Sequence, residues 1–153
     1  MVDFVLKYRK EILILVFLVA FYFLLRLPNL TLQPIFADEA IYIRWAQVMR
    51  AEPTLRFLPL SDGKTPLFMW TLMPVLKFIE DPLLAGRFLS VIAGLATMAG
   101  VFALTMRVFN VRVALWASLL YAVTPYTVFF DRMALVDSML SAFTIWALYF
   151  TLW

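Results

Sequence analysis

Four stretches of this chain are too apolar to leave in water, and they restrict it to architectures that cross a membrane. Residues 12–25 carry no charge, and Leu27 extends that run if Arg26 snorkels to the interface. Residues 83–106 hold a single charge, Arg87, one turn in from their start, and residues 113–130 hold none. Residues 136–153 carry only Asp137, at their beginning. Spans are therefore expected at 12–27, 83–106, 113–130 and 136–153, each approaching the roughly 20 residues that cross a hydrocarbon core. The expected fold is all-α: a polytopic membrane protein with about four transmembrane helices and a helical external loop over 28–82. With 65% hydrophobic and 15% charged residues, against about 25% charged in soluble domains, the chain cannot be a soluble domain.

Composition excludes several functions. A formal charge of +3, spread along the chain, supplies no basic stripe for nucleic acid. Cysteine and histidine are both absent, so there is no disulfide framework and no ordinary zinc site. Any metal would be a hard divalent cation held by carboxylates.

Lys7, Arg9 and Lys10 precede the first apolar run, as in a signal peptide, but no small-x-small cleavage site follows and a retained helix is expected. Arg107 and Arg112 bracket the link between the second and third spans. The positive-inside rule then puts the N-terminus and that link in the cytoplasm, and the 28–82 loop outside with residues 131–137. The absence of a retention signal fits a plasma membrane. Gly86, Ser90 and Gly94, with Ala93, Thr97 and Gly100 nearby, form a small-residue stripe that reads as helix-packing surface.

The loop has helices of its own. In DEAIYIRWAQVMR, Ile41, Trp45, Val48 and Met49 recur at helical spacing, and Asp38 is expected to cap the helix start after Pro34. Thr65-Pro66 reads as cap and first helical residue of a second loop helix over 66–79, which Pro74 should kink. That run is too short to span and is expected to lie in the outer interface, apolar side down.

Three polar clusters share the outer side: Asp38-Glu39, Asp62-Gly63-Lys64, and Asp131-Arg132 with Asp137. Each has an ordinary explanation. Asp38 and Glu39 complement a helix dipole; Lys64 sits in a turn; Arg132 snorkels; Asp137 caps the last helix. Together they supply a carboxylate base and cations for a phosphate at a lipid interface.

In order and spacing, the stretches PIFADEAIYIRWAQ, DGKTPLFMW, AGRFLSVIAGL and DRMALVDSML resemble the N-terminal part of a polyprenyl-phosphate-sugar-dependent glycosyltransferase. That resemblance is to the GT-C membrane type, near protein O-mannosyltransferases and bacterial aminoarabinose transferases, and it covers nearly the whole chain. It implies a lipid-linked sugar donor, a protein, lipid or glycan acceptor, and a membrane setting. It implies Asp38 as general base, with Glu39 as its support or as ligand for an optional divalent cation. Lys64 is implied as the donor-phosphate ligand, with Tyr42, Arg132 and Asp137 counted among the substrate-binding residues. Thr65 departs from the second proline of many relatives, which alters the stiffness of the turn. A phosphate-linked sugar carries its own leaving group, so one carboxylate suffices for an inverting displacement.

Relatives of this kind have roughly a dozen helices, and the chain stops at Trp153 inside an apolar run. It is therefore expected to be part of a longer domain, inactive as an isolated piece. The alternative is a non-catalytic four-helix scaffold or assembly subunit. Its function would ignore charge at Asp38 and Lys64 but fail if the Gly86–Gly94 stripe were enlarged. Transport is the weakest option, because the charges collect at helix ends rather than at the midplane.

Overall fold

A computed structural model describes residues 9–152. Among them the architecture is entirely helical: α1 (Arg9–Arg26), α2 (Ala37–Ala51), α3 (Leu67–Val75), α4 (Pro82–Val108), α5 (Val111–Val123), α6 (Pro125–Asp131) and α7 (Asp137–Thr151). Two short 3-10 turns, Pro53–Leu55 and Leu58–Asp62, join α2 to α3. Of the sequence expectations, Lys7 and Trp153 lie outside the described residues.

The long helix α4 is the axis of the fold, with α7 and α5 packed most extensively against it and α1 packed against α5. Its start is specified locally. Asp81 accepts from the Leu83 and Leu84 amides at 2.9 and 3.2 Å, and Pro82 occupies the first helical position, where its missing N–H costs nothing. Asn110 starts α5 in the same way, accepting from Arg112 and Val113.

Among the described residues only α4, at 27 residues, is by itself long and apolar enough to cross a membrane. The expected third span is broken: α5 and α6 qualify only as a pair, bent by 64°. Thr124 is extended there, as the residue before a proline prefers, and Pro125 opens the new helix. α1 carries Arg9, Lys10, Glu11 and Arg26 within its 18 residues. α7 is 15 residues long, which is about 22 Å at 1.5 Å per residue against a core of about 30 Å. The bundle still presents apolar side chains outward, among them Val16, Phe17, Trp116, Leu120 and Phe143, each more than half exposed.

The small-residue stripe does pack closely. A Cβ on Gly86 would lie 2.7 Å from that of Ala134, and one on Gly100 would lie 2.5 Å from Ile145 Cγ2. At Gly94 the neighbour is the carboxylate of Asp131, which rests directly on the glycine.

The 28–82 segment folds onto one end of this bundle. Tyr42, Ile43, Ala46 and Met49 of α2 share a core with Phe68, Met69 and Leu72 of α3, Ala85 of α4 and the 133–135 link. Two sequence expectations change here. The cap of α2 is Phe36, so Asp38 lies inside the first turn. The buried stripe is Glu39, Tyr42, Ile43, Ala46 and Met49, and Ile41 faces out. Glu39 lies on the same side as the apolar core residues. Likewise α3 begins after Pro66 rather than at it, and it ends one residue beyond Pro74. Pro74 cannot donate to the carbonyl of Trp70, so the helix stops where the ladder is interrupted. Its buried side packs on α2.

Candidate active site and its buried supports

Successive residues on a helix point about 100° apart, and this separates the acidic pair. Glu39 turns inward and is fully buried, as is Arg87 of α4. Arg87 grips the carboxylate with both arms, Nε to Oε1 at 2.8 Å and Nη2 to Oε2 at 2.7 Å. The remaining acceptor positions of Glu39 take the amides of Ala134 at 2.7 Å and Phe36 at 3.0 Å. Arg87 also donates to the carbonyls of Leu30, Gln33 and Pro34. Burial alone would raise the Glu39 pKa. The Arg87 and backbone hydrogen bonds, with the Arg87 charge, outweigh it and hold the carboxyl below its ordinary value. Four N–H donors thus occupy the Glu39 carboxylate. A cation there would have to displace a guanidinium. Among the described residues no three carboxylates gather into a cation site.

Asp38 turns outward, about half exposed, with Oδ1 3.8 Å from Lys64 Nζ. The same ammonium donates to the Tyr42 hydroxyl at 3.2 Å and lies 4.8 Å from the ring centroid. Tyr42 is fixed from below by Trp45 and Phe68, whose ring centroids lie 6.1 and 6.2 Å away. Lys64 is delivered by backbone geometry. The 3-10 turn ends at Gly63, whose φ of 69° suits glycine, and the Lys64 amide closes the turn on the Pro59 carbonyl at 3.0 Å. The Tyr42 hydrogen bond, reinforced by the Asp38 and Asp62 charges, holds the Lys64 pKa above its ordinary value. Asp38, Tyr42 and Lys64 thus form one polar cluster drawn from two segments.

The third expected cluster does not join it. Asp131 is buried and ion-paired to Arg26, Nε to Oδ2 at 2.9 Å, with Tyr121 and Ser138 donating to the same carboxylate. Arg26 therefore does not snorkel. It is fully buried, 3.9 Å over the Tyr22 ring, and donates to the Ala122 carbonyl at 2.9 Å. Arg132 donates to the carbonyls of Leu25, Arg26, Pro28 and Asn29, tying down the C-terminal end of α1. Asp137 is exposed at the start of α7 and makes no capping bond. Neither Arg132 nor Asp137 bonds to Asp38, Tyr42 or Lys64. The sequence did flag Arg26 and Arg87 as charges at the edges of apolar runs, which is where a buried partner is to be sought.

Apolar space adjoins the polar cluster. A cavity of 580 Å³ between α4 and α7 is lined by Leu89, Ile92, Met139, Phe143 and Trp146, among others. A smaller one of 130 Å³ shares Met139 and Phe143 with it and reaches Thr65, the neighbour of Lys64. The two cavities lie on either side of Met139 and Phe143, which line both.

No curated protein and no solved structure matches the chain. The family model described as dolichyl-phosphate-mannose-protein mannosyltransferase matches residues 63–153, from the turn that delivers Lys64 through α7. That match covers more than half of the sequence, so this chain belongs to the dolichyl-phosphate-mannose-protein mannosyltransferase family of membrane-embedded glycosyltransferases.

Proposed function

We propose that the chain carries the base-bearing part of an inverting glycosyltransferase that moves a sugar from a polyprenyl-phosphate donor to an acceptor hydroxyl or amine at the outer membrane face. The observation that carries this reading is the juxtaposition of Asp38 and Lys64 at 3.8 Å, both accessible, with a small apolar cavity reaching the neighbouring Thr65. Lys64 takes the donor phosphate, and the Tyr42 hydroxyl orients its ammonium. Asp38, released from Lys64 by that phosphate, accepts the proton of the acceptor. The acceptor heteroatom bonds to the anomeric carbon from the face opposite the phosphate. The anomeric C–O bond breaks, and polyprenyl phosphate leaves with the bonding pair. Charge grows on the departing phosphate, where the Lys64 ammonium counters it. Glu39 and Arg87 hold the first turn of α2 and so the position of Asp38.

The same reading places the chain as a multi-pass protein, with α1, α4, the α5–α6 pair and α7 crossing a plasma membrane. The N-terminus is cytoplasmic and the α2–α3 layer external. The paired support of Arg26 by Asp131 favours a fixed helix bundle beneath the site. Arg132 contributes by anchoring the end of α1, and Asp137 is available to substrate at the start of α7.

The deciding experiment is Asp38→Asn in the full-length enzyme, assayed for transfer from a polyprenyl-phosphate sugar, with membrane insertion followed in parallel. General-base catalysis contributes ~10²–10⁴-fold, so transfer should fall by that factor while insertion is unchanged. Wild-type turnover in the variant would remove Asp38 from the role.

A further inference from the structure

A second charged cavity lies apart from the Asp38–Lys64 cluster. Its volume is 270 Å³, and Arg50, Arg56, Met73, Pro74 and Lys77 line it. The three cations come from three places: the last turn of α2, the link between the two 3-10 turns, and the turn after α3. Each is anchored by backbone. Arg50 donates to the Leu76 carbonyl at 2.6 Å, and the Arg56 carbonyl accepts from Trp70 Nε1 at 2.7 Å. Lys77 is held in its turn by its amide bond to the Pro74 carbonyl.

Among the described residues none of the three forms an ion pair, and no carboxylate lines the cavity. The nearby Glu52 is turned to the Thr54 hydroxyl at 2.8 Å. Three converging cations with no counter-charge repel one another, and a tetrahedral anion relieves that repulsion. Two of them are guanidinium forks suited to phosphate oxygens.

The surroundings indicate where the anion comes from. Phe78, next to Lys77, is 86% exposed, and Phe57, next to Arg56, is 59% exposed. Large aromatics flanking basic residues in this way fit the boundary between headgroups and acyl chains. We propose that Arg50, Arg56 and Lys77 form a binding site for the phosphate of an anionic membrane lipid, with Phe57 and Phe78 inserted beside it. This site fixes the α2–α3 layer on the membrane surface, independently of any transfer chemistry.

The test uses the full-length protein in nanodiscs of phosphatidylcholine containing a minor fraction of phosphatidylglycerol. Native mass spectrometry then counts the lipids retained. Wild type should keep phosphatidylglycerol in preference to phosphatidylcholine. At about five-fold per cation, Arg56→Gln with Lys77→Gln should weaken that retention about twenty-five-fold. Arg56→Lys with Lys77→Arg keeps the charge and should retain most of it. Both side chains are exposed, so an unchanged thermal transition separates lost binding from lost folding. Equal retention of the two lipids by wild type, or unchanged retention in the glutamine variant, overturns the proposal. So does stabilisation by inorganic phosphate in pure phosphatidylcholine discs without phosphatidylglycerol enrichment, which would make this a soluble-anion site.

Discussion

Arg87 holds both oxygens of Glu39, at 2.8 and 2.7 Å, with neither side chain exposed to solvent. The pair joins α2 to α4 and, through the Ala134 amide, to the link before α7. Removing one partner leaves a buried charge uncompensated, which costs about 3–5 kcal/mol. Arg87→Ala and Glu39→Ala should each destabilise by that amount in chemical unfolding of the detergent-solubilised protein. Arg87→Met combined with Glu39→Leu strands no charge but orphans the Ala134 and Phe36 amides and the carbonyls that Arg87 serves, so it should recover only part of the loss. Single variants within 1 kcal/mol of wild type would mean that the pair does not lock the layer.

The same carboxylate predicts an acid limit. Its folded-state pKa lies below the ordinary glutamate value because hydrogen bonds and the Arg87 charge outweigh burial. A depressed carboxylate contributes stability that is fully present above its unfolded pKa, about 4.3. That contribution is lost as pH falls through the lower folded value. Stability should therefore be flat with respect to this group from neutrality down to about pH 5, then decline. Glu39→Gln should be less stable at neutral pH and lose the part of the acid decline that Glu39 supplies. An identical acid slope in wild type and variant would show that other groups cause the decline.

How much of this was legible beforehand depends on the kind of signal. Helices and their starts follow from short-range chemistry, such as Asp81-Pro82 and Asn110, and apolar runs are visible in any window. Sidedness within a helix is harder. The apolar residues of α2 suggested a face through Ile41 and Trp45, whereas the buried face runs through Tyr42, Ile43, Ala46 and Met49 and carries the charge of Glu39 with it. Partner choice is harder still. Arg26 and Arg87 were visible as charges at the edges of apolar runs. Their carboxylates, however, lie 105 and 48 residues away in sequence, and no local pattern connects them. Asp131 therefore looked like part of an outer cluster with Arg132, when Asp131 is buried against the Arg26 side chain and Arg132 binds the carbonyls at the end of α1. The Asp38–Lys64 pairing was approachable only through resemblance, since a doublet of acids and a turn lysine are each common.

Two glycines should fail for different reasons. At Gly94 a methyl group would collide with the Asp131 carboxylate, and that carboxylate cannot retreat without leaving Arg26 and Ser138. Gly94→Ala should cost about 1–3 kcal/mol by overpacking, with further loss if the ion pair breaks. At Gly63 nothing lies within 4 Å of the added carbon, but φ is +69°. Gly63→Ala should cost about 1–2 kcal/mol from left-handed strain, and Gly63→Asn should cost less because asparagine tolerates that region. Unfolding midpoints of the three variants distinguish a steric position from a conformational one. Equal tolerance of alanine at both would contradict the geometry.

Lys64 and Tyr42 should separate in kinetics. If Lys64 binds the donor phosphate, Lys64→Gln removes a full charge that acts on the bound donor and more strongly on the departing phosphate. Both an increase in donor KM and a fall in kcat are expected. Lys64→Arg retains charge but cannot reproduce the single 3.2 Å bond to Tyr42, so its defect should be smaller and mainly in kcat. Tyr42→Phe removes one hydrogen bond worth about 0.5–1.5 kcal/mol, a loss of about two- to ten-fold in kcat/KM, and leaves the ring packing on Phe68 intact. The elevated Lys64 pKa keeps the ammonium charged throughout the neutral range, so none of these effects should vary between pH 6 and 8. A Tyr42→Phe defect as large as that of Lys64→Gln would shift the phosphate-binding role toward the hydroxyl.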